Sequence, residues 1–259
     1  YLFFIGNFPI RLYGIFFSLG IISGCITAYF LLKKDRRGWE SHMFDLGLVI
    51  AFAGIVGGRL WDVFFFDWEY YHNHLLEIPY IWQGGMAIQG GIIFACIAAY
   101  FYLKKHQIPV LPFADTVTPG IILGQAIGRI ANFMNGDAFG HPTGQDFGLL
   151  YPDTTLAYHT YGAQPLWPAE VWECQGDLLI FVLLLWYGCK TRAEGTTFCL
   201  YIMFYSLLRF FLENYRGDYG TLALGLKSAQ LTSLAAFAGA FILFLYFHFK
   251  HKSKSGISE

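Results

Sequence analysis

The chain reads as an all-α polytopic membrane protein with seven transmembrane helices, its N-terminus outside and its C-terminus cytoplasmic. Three observations predict this. Hydrophobic residues make up 56% of the 259 positions and charged residues only 14%, whereas a soluble domain carries about 25% charge. The apolar residues fall in long runs, each near the ~20 residues that a bilayer requires. The basic residues are also one-sided. Lys33, Lys34, Arg36, Arg37, Lys104, Lys105, Lys190, Arg192, Lys250, Lys252 and Lys254 all follow odd-numbered runs, eleven of the seventeen Lys and Arg. The positive-inside rule makes that side cytoplasmic.

The spans follow in order. The first, 10–32, opens on Arg11, Tyr13 and Gly14 and carries Gly20 and Gly24 one turn apart. The second, 43–66, carries Gly54 and Gly58, then Arg59 and Asp62 near its end. Residues 67–83 are rich in Trp, Tyr and His and suit a membrane-interface segment, with His72 and His74 as interface residues rather than metal ligands. The third span, 84–103, sets the lone polar Gln89 between Gly84-Gly85 and Gly90-Gly91. The fourth, 112–134, has Gly120, Gly124 and Gly128 leading to Arg129. Residues 135–167 form the longest connection, an irregular loop of a kind that often carries function. Spans 168–188, 195–213 and 228–249 complete the set. Small residues four apart let helices approach closely. Residues 1–250 are expected to form a single transmembrane domain, and 251–259 a polar, disordered cytoplasmic tail.

Other classes are set aside on composition. No basic block large enough for nucleic acid is present. Cys25, Cys96, Cys174, Cys189 and Cys199 lie in or beside apolar segments without C-x-x-C spacing, so they read as small buried residues rather than disulfides or a zinc site. No metal or cofactor is implied. The first residue is Tyr1 rather than Met, so a short preceding piece is expected. The first apolar run is long enough to span and does not read as a cleavable signal.

Four arginines inside the spans need a reason. An arginine at the centre of a lipid-embedded helix costs roughly 2.5–3.5 kcal/mol on insertion scales. Arg11, Arg59, Arg129 and Arg209 all fall in the outer halves of their spans, and a shared cavity opening outward is the simplest account. Arg59 has Asp62 three residues on, and Arg209 has Glu213 four residues on, so both can pair on their own helix. Arg129 has no acid at those offsets. Its charge must be met by another helix or by an anionic ligand, and a guanidinium suits bidentate phosphate binding. Arg11 also lacks a local acid and either joins that site or snorkels to the headgroups. Asn132 shares a face with Arg129, Asn135 and Gly136 continue it, and Asp137 can accept a proton or hold an arginine. Gly140 permits a close turn, His141 follows, and Tyr205 lies one turn before Arg209.

The run Gly128-Arg129-Ile-Ala-Asn132-Phe-Met-Asn135-Gly136-Asp137-Ala-Phe-Gly140 closely resembles the signature of the bacterial prolipoprotein diacylglyceryl transferase family. Further matches run along nearly the whole chain: Arg11-Leu-Tyr13-Gly14, Gly57-Gly58-Arg59, Gly84-Gly85-Met86, Pro168-Ala-Glu-Val-Trp-Glu173, and Tyr205-Ser-Leu-Leu-Arg209 with Glu213. The resemblance implies an enzyme of the bacterial cytoplasmic (inner) membrane whose active site faces outward. Such an enzyme transfers the diacylglyceryl group of phosphatidylglycerol to the lipobox cysteine of a secreted prolipoprotein, recognised through its signal peptide. It implies that Arg129 and Arg209 hold the phosphate, that Asn132 and Tyr13 orient it, and that Tyr205 belongs to the same site. Asn135, Gly140, Arg59 and Glu213 are further expected lipid-binding residues, and Asp137 and Gln89 further catalytic positions. The chain departs from the family pattern at Gln89, where His is usual, at Asp137, where Glu is usual, and at Trp172, where Tyr is usual. Two other readings accommodate clustered intramembrane arginine. One is a relative that binds anionic phospholipid with lost or altered activity, and the other is an anion transporter. The ordered motif set favours the transferase.

Overall fold

The computed structural model describes residues 3–5, 8–10, 12–188, 193–217 and 225–255, with side chains at 3–5, 8–10, 83 and 253–255 excepted. Arg11, Cys189, Lys190 and Arg192 therefore lie outside the described residues, as do 256–259 of the expected tail. Every long element is a helix: α1 (Leu12–Asp35), α2 (Met43–Phe65), α4 (Ile88–Lys105), α5 (Val110–Asn135), α7 (Ala169–Gly188), α8 (Thr196–Leu212) and α9 (Ser228–Ser255). Two short helices, α3 (Trp68–Tyr71) and α6 (Leu156–Tyr161), lie in the connections. Among the described residues four stretches are long and apolar enough to cross a membrane: Leu12–Asp35, Trp39–Phe65, Val110–Asn135 and Ser228–Lys252.

Four local expectations are corrected. Helix α1 begins at Leu12 rather than residue 10, because Phe8–Ile10 (β2) pairs antiparallel with Phe3–Ile5 (β1). Helix α4 begins at Ile88 rather than residue 84, because Gly84 (φ 97°) and Gly85 (φ 73°) hold backbone angles that a right-handed helix cannot use. The 135–167 connection is less irregular than expected. It contains α6, capped by the Thr155 side chain, and a small core of Phe139, Ala157 and Leu166 flanked by Tyr151 and Tyr161. The polar tail is not wholly irregular either, since α9 continues to Ser255.

The Cα positions separate into two compact units. One is Leu32–Phe113, in which α2 packs on α4. Glycines set that packing: a Cβ on Gly90 would overlap the Gly57 carbonyl oxygen, and one on Gly57 would overlap the Phe94 side chain. The other unit comprises Tyr1–Leu31 and Ala114–Glu259. Here Gly20 and Gly24 of α1 meet Gly124 and Gly120 of α5. A Cβ on either α1 glycine would come within 2.7 Å of the facing carbonyl oxygen. Ile122, Ile180 and Leu184 join α5 to α7, with Leu200, Phe204 and Leu208 of α8 packed around them. The buried Asp115 of α5 accepts from the backbone N–H groups of Gly195 (2.6 Å) and Phe198 (2.9 Å), capping the start of α8. That cap fixes where α8 begins along α5, and so the level at which the α8 side chains meet those of α5 and α7.

Candidate functional site

Three helices of the larger unit contribute one chain of ion pairs. Glu173 of α7 is the bridge. Its Oε1 lies 2.8 Å from Arg129 Nη2, and its Oε2 lies 3.2 Å from Arg209 Nη1 and 3.7 Å from Arg216 Nη1. Glu213 lies 2.8 Å from Arg209 Nη2 and 3.9 Å from Arg216 Nε. The on-helix pair expected between Arg209 and Glu213 is present, and the charge of Arg129 is met by another helix.

Hydrogen bonds extend this relay at both ends. Tyr205 donates to Glu173 Oε1 (3.1 Å) and accepts from Arg129 Nη2 (3.4 Å). Arg129 Nη1 donates to Asn132 Oδ1 (3.2 Å), and Asn132 Nδ2 donates to Asp137 Oδ1 (2.6 Å). Asn135 Nδ2 donates to Asp137 Oδ2 (2.8 Å). Each oxygen of Asp137 thus accepts one side-chain amide hydrogen bond, which joins Asn132 to Asn135 through the carboxylate. Tyr13, half-buried in the first turn of α1, lies within electrostatic reach of Asp137 and Arg129. The opposite end of the relay is held from outside α8. Lys227 Nζ donates to the carbonyls of Glu213 (2.9 Å) and Arg216 (2.6 Å). Arg216 also pairs through its backbone with Gly140, which approaches Trp167 so closely that a Cβ would overlap the Trp167 carbonyl. His141 turns its Nδ1 to the Pro142 carbonyl at 2.9 Å and stays out of the relay.

Charge and exposure say what this arrangement does. The ion-pair relay joins three guanidiniums to two carboxylates, so one positive charge is in surplus. The carboxylates are sealed, with side-chain exposures of 1% for Glu173 and 0% for Glu213, while Arg129 and Arg209 keep 19% and 13%. Within the ion-pair relay the guanidinium edges are therefore more accessible than the two carboxylates, and the partly buried Asp137 lies beyond Asn132.

Arg59 and Gln89 belong to the smaller unit. Arg59 is 3% exposed and its five N–H groups all have acceptors. Nε donates to the Ile78 carbonyl (2.7 Å). Nη1 donates to the carbonyls of Gly84 (2.7 Å) and Gly85 (3.0 Å), and Nη2 to Tyr71 Oη (2.9 Å) and the Glu77 carbonyl (3.2 Å). Its on-helix pairing with Asp62 is long, at 3.8 Å. Every donor is spent on the connection between α2 and α4, leaving none for a lipid phosphate. In that connection the Tyr70 hydroxyl donates to Glu77 Oε2 at 2.7 Å, and this bond raises the phenol's pKa above its ordinary value. Gln89 is exposed in the first turn of α4.

Sequence reasoning underweighted the acids. Glu173 entered only as part of a motif, and Arg216, Asp177 and Gln125 were not singled out. A usable signal was present: Glu170, Glu173 and Asp177 recur at helical spacing inside an apolar run. Intramembrane acids at that spacing imply cationic partners. Glu170, fully buried, accepts from Tyr151 of the long connection. Nor are the cysteines uniformly buried: Cys199 is, Cys25 and Cys174 are half-buried, and Cys96 is exposed.

Long apolar helices carrying a buried chain of ion pairs define a helical membrane protein with a polar centre. The comparisons with known proteins give the family. Residues 1–246 match the family model described as prolipoprotein diacylglyceryl transferase, and the chain belongs to that family. A relative from Staphylococcus saprophyticus is 36% identical over 234 residues, covering 89% of this chain and 82% of the relative. One from Clostridium botulinum strain Langeland is 36% identical over 233 residues, 90% of each chain. One from Halalkalibacterium halodurans is 33% identical over 245 residues, 93% of this chain and 84% of the relative. Each of the three is named phosphatidylglycerol–prolipoprotein diacylglyceryl transferase.

Proposed function

We propose that this chain transfers the diacylglyceryl group of phosphatidylglycerol to the lipobox cysteine thiol of secreted prolipoproteins. The setting is a seven-span scaffold in the bacterial cytoplasmic membrane, with the N-terminus and the site on the outer side. The cysteine sulfur bonds to the glyceryl carbon, the bond from that carbon to the phosphate oxygen breaks, and glycerol phosphate leaves. The thiol, with an unperturbed pKa near ~8.5, attacks as its thiolate. Negative charge grows on the departing phosphate, and donors already aimed at that position lower the barrier.

The observation that carries this reading is the relay itself, with accessible guanidiniums, sealed carboxylates and one positive charge unmatched. A phosphodiester carries one negative charge and completes it. In this reading Arg129 and Arg209 grip the phosphate and Tyr205 and Asn132 hold the Arg129 fork in plane. Asp137 and Asn135 brace Asn132, and Tyr13 reaches the headgroup from α1. Glu213 and Gly140 act by positioning Arg209 and Arg216. Gln89 has no lone pair basic enough to take a proton at neutral pH and serves as a hydrogen-bonding group. Arg59 is assigned to its own connection rather than to the lipid.

The test is thioether formation on a lipobox peptide with phosphatidylglycerol in proteoliposomes, read alongside release of glycerol phosphate. Arg129→Ala should lower the rate by roughly 10²–10³-fold, the scale of losing a donor to developing charge. Lipid binding without transfer in the wild type indicates the relative with altered activity. Anion flux without lipid turnover indicates a transporter.

A further inference from the structure

The relay has a second tier beneath it. Stepping one turn along each helix takes Arg129 to Gln125 on α5, Glu173 to Asp177 on α7, and Tyr205 to Tyr201 on α8. All three steps lead away from the α5 and α8 C-terminal ends, by about 6 Å. The second-tier groups meet as the first-tier groups do. Tyr201 Oη donates to Gln125 Oε1 (3.1 Å), and Gln125 Nε2 donates to Asp177 Oδ1 (3.4 Å). The rings of Tyr201 and Tyr205 stack at 6.2 Å. The tiers differ in one respect: the deeper one has an amide where the upper one has a guanidinium. Asp177 is 0% exposed, its Oδ2 has no hydrogen-bond partner, and it forms none of the ion pairs that hold Glu173.

We infer that Asp177 is held as a neutral carboxylic acid and is a positioning residue that sets the charge of the phosphate site. The argument rests on the reading of Arg129 and Arg209 as phosphate-binding. A buried carboxylate with one weak amide bond and no bound cation is the costlier state, and a proton removes the charge. The groups facing Asp177 are Arg129 and Gln125 from α5, Glu173 and Cys174 from its own helix, and Arg209 and Tyr205 from α8. Both arginines in that set are already committed to Glu173. The consequence is arithmetic. With Asp177 neutral, the site keeps one surplus positive charge for a monoanionic headgroup. With Asp177 ionised that surplus is offset, and the attraction for the lipid is weakened.

Infrared spectroscopy of the full chain in nanodiscs free of phosphatidylglycerol reads this directly. The wild type at neutral pH should show the C=O stretch of a protonated carboxyl group, and Asp177→Asn should lose it. Carbon-13 labelling of aspartate should shift the band in the wild type, which keeps the test independent of whether the variant folds. No band, a band insensitive to aspartate labelling, or a band that survives in Asp177→Asn overturns the inference. The KM for phosphatidylglycerol should rise roughly tenfold at the alkaline pH where that band disappears, the size expected for one added charge a few ångströms away. An unchanged KM there overturns the charge-setting role. Absence of transfer at every pH counts against the transferase reading and leaves the carboxyl band untouched, so the two failures are separable.

Discussion

Replacing Glu173 by Gln is the sharpest perturbation of the relay. The amide keeps the shape of the carboxylate but removes the negative charge from between two guanidiniums. One of its ends becomes an NH2 group. Whichever way the amide turns, that NH2 faces an arginine, at the position now 2.8 Å from Arg129 or 3.2 Å from Arg209. Arg209 retains Glu213 at 2.8 Å, whereas Arg129 retains only Asn132 and the Tyr205 hydroxyl. The deficit therefore falls mainly on Arg129. Removing one partner of a buried pair costs about 3–5 kcal/mol, on the order of 10 °C in the melting temperature of a chain this size. The surplus on the relay also rises from one positive charge to two, so an anionic phospholipid should stabilise the variant more than the wild type. Thermal unfolding in a neutral detergent, with and without added phosphatidylglycerol, measures both effects. A variant that melts within about 1 kcal/mol of wild type, the value of an ordinary surface pair, with no larger lipid-induced shift, would show that Glu173 does not hold the site together.

Two further predictions concern the scaffold. Gly85→Ala combines a φ of +73° with a Cβ that would overlap Asp62 Oδ2; it should cost about 1–3 kcal/mol and expose the 71–85 segment to proteolysis, which limited digestion detects. Asp115→Ala removes both acceptors at the start of α8 and should lower stability by roughly 1–3 kcal/mol. Unchanged hydrogen exchange at the amides of Gly195 and Phe198 would refute that cap.

The helices were legible in the sequence because long apolar runs bounded by charge favour helix. Among the described residues each long helix overlaps one of the apolar runs, with offsets of up to six residues at the ends of α4 and α9. The misplaced boundaries share a cause, for they sit where backbone angles rather than hydropathy decide. Gly84 and Gly85 look like the start of a flexible helix until their positive φ is known, and Phe8–Ile10 is as apolar as the helix after it. In the site, the residues without a local partner carried the most information. Arg129, lacking an acid on its own helix, pointed to an interaction across helices. The acceptors of Arg59 were not legible, because most of them are carbonyls, and carbonyls leave no trace in a sequence. Arg216 was invisible for another reason: it follows α8, in a stretch with no periodic pattern to mark it.

The carbonyl-binding role of Arg59 also bears on the aromatic stretch it holds. Trp68, Leu76 and Trp82 project from that stretch with exposures of 45%, 86% and 72%. Peptide oxygens facing hydrocarbon without donors would be penalised, and here the guanidinium supplies donors from within. The stretch thus keeps its inward carbonyls paired to a side chain of the same compact unit while its large apolar side chains stay free to meet apolar surroundings.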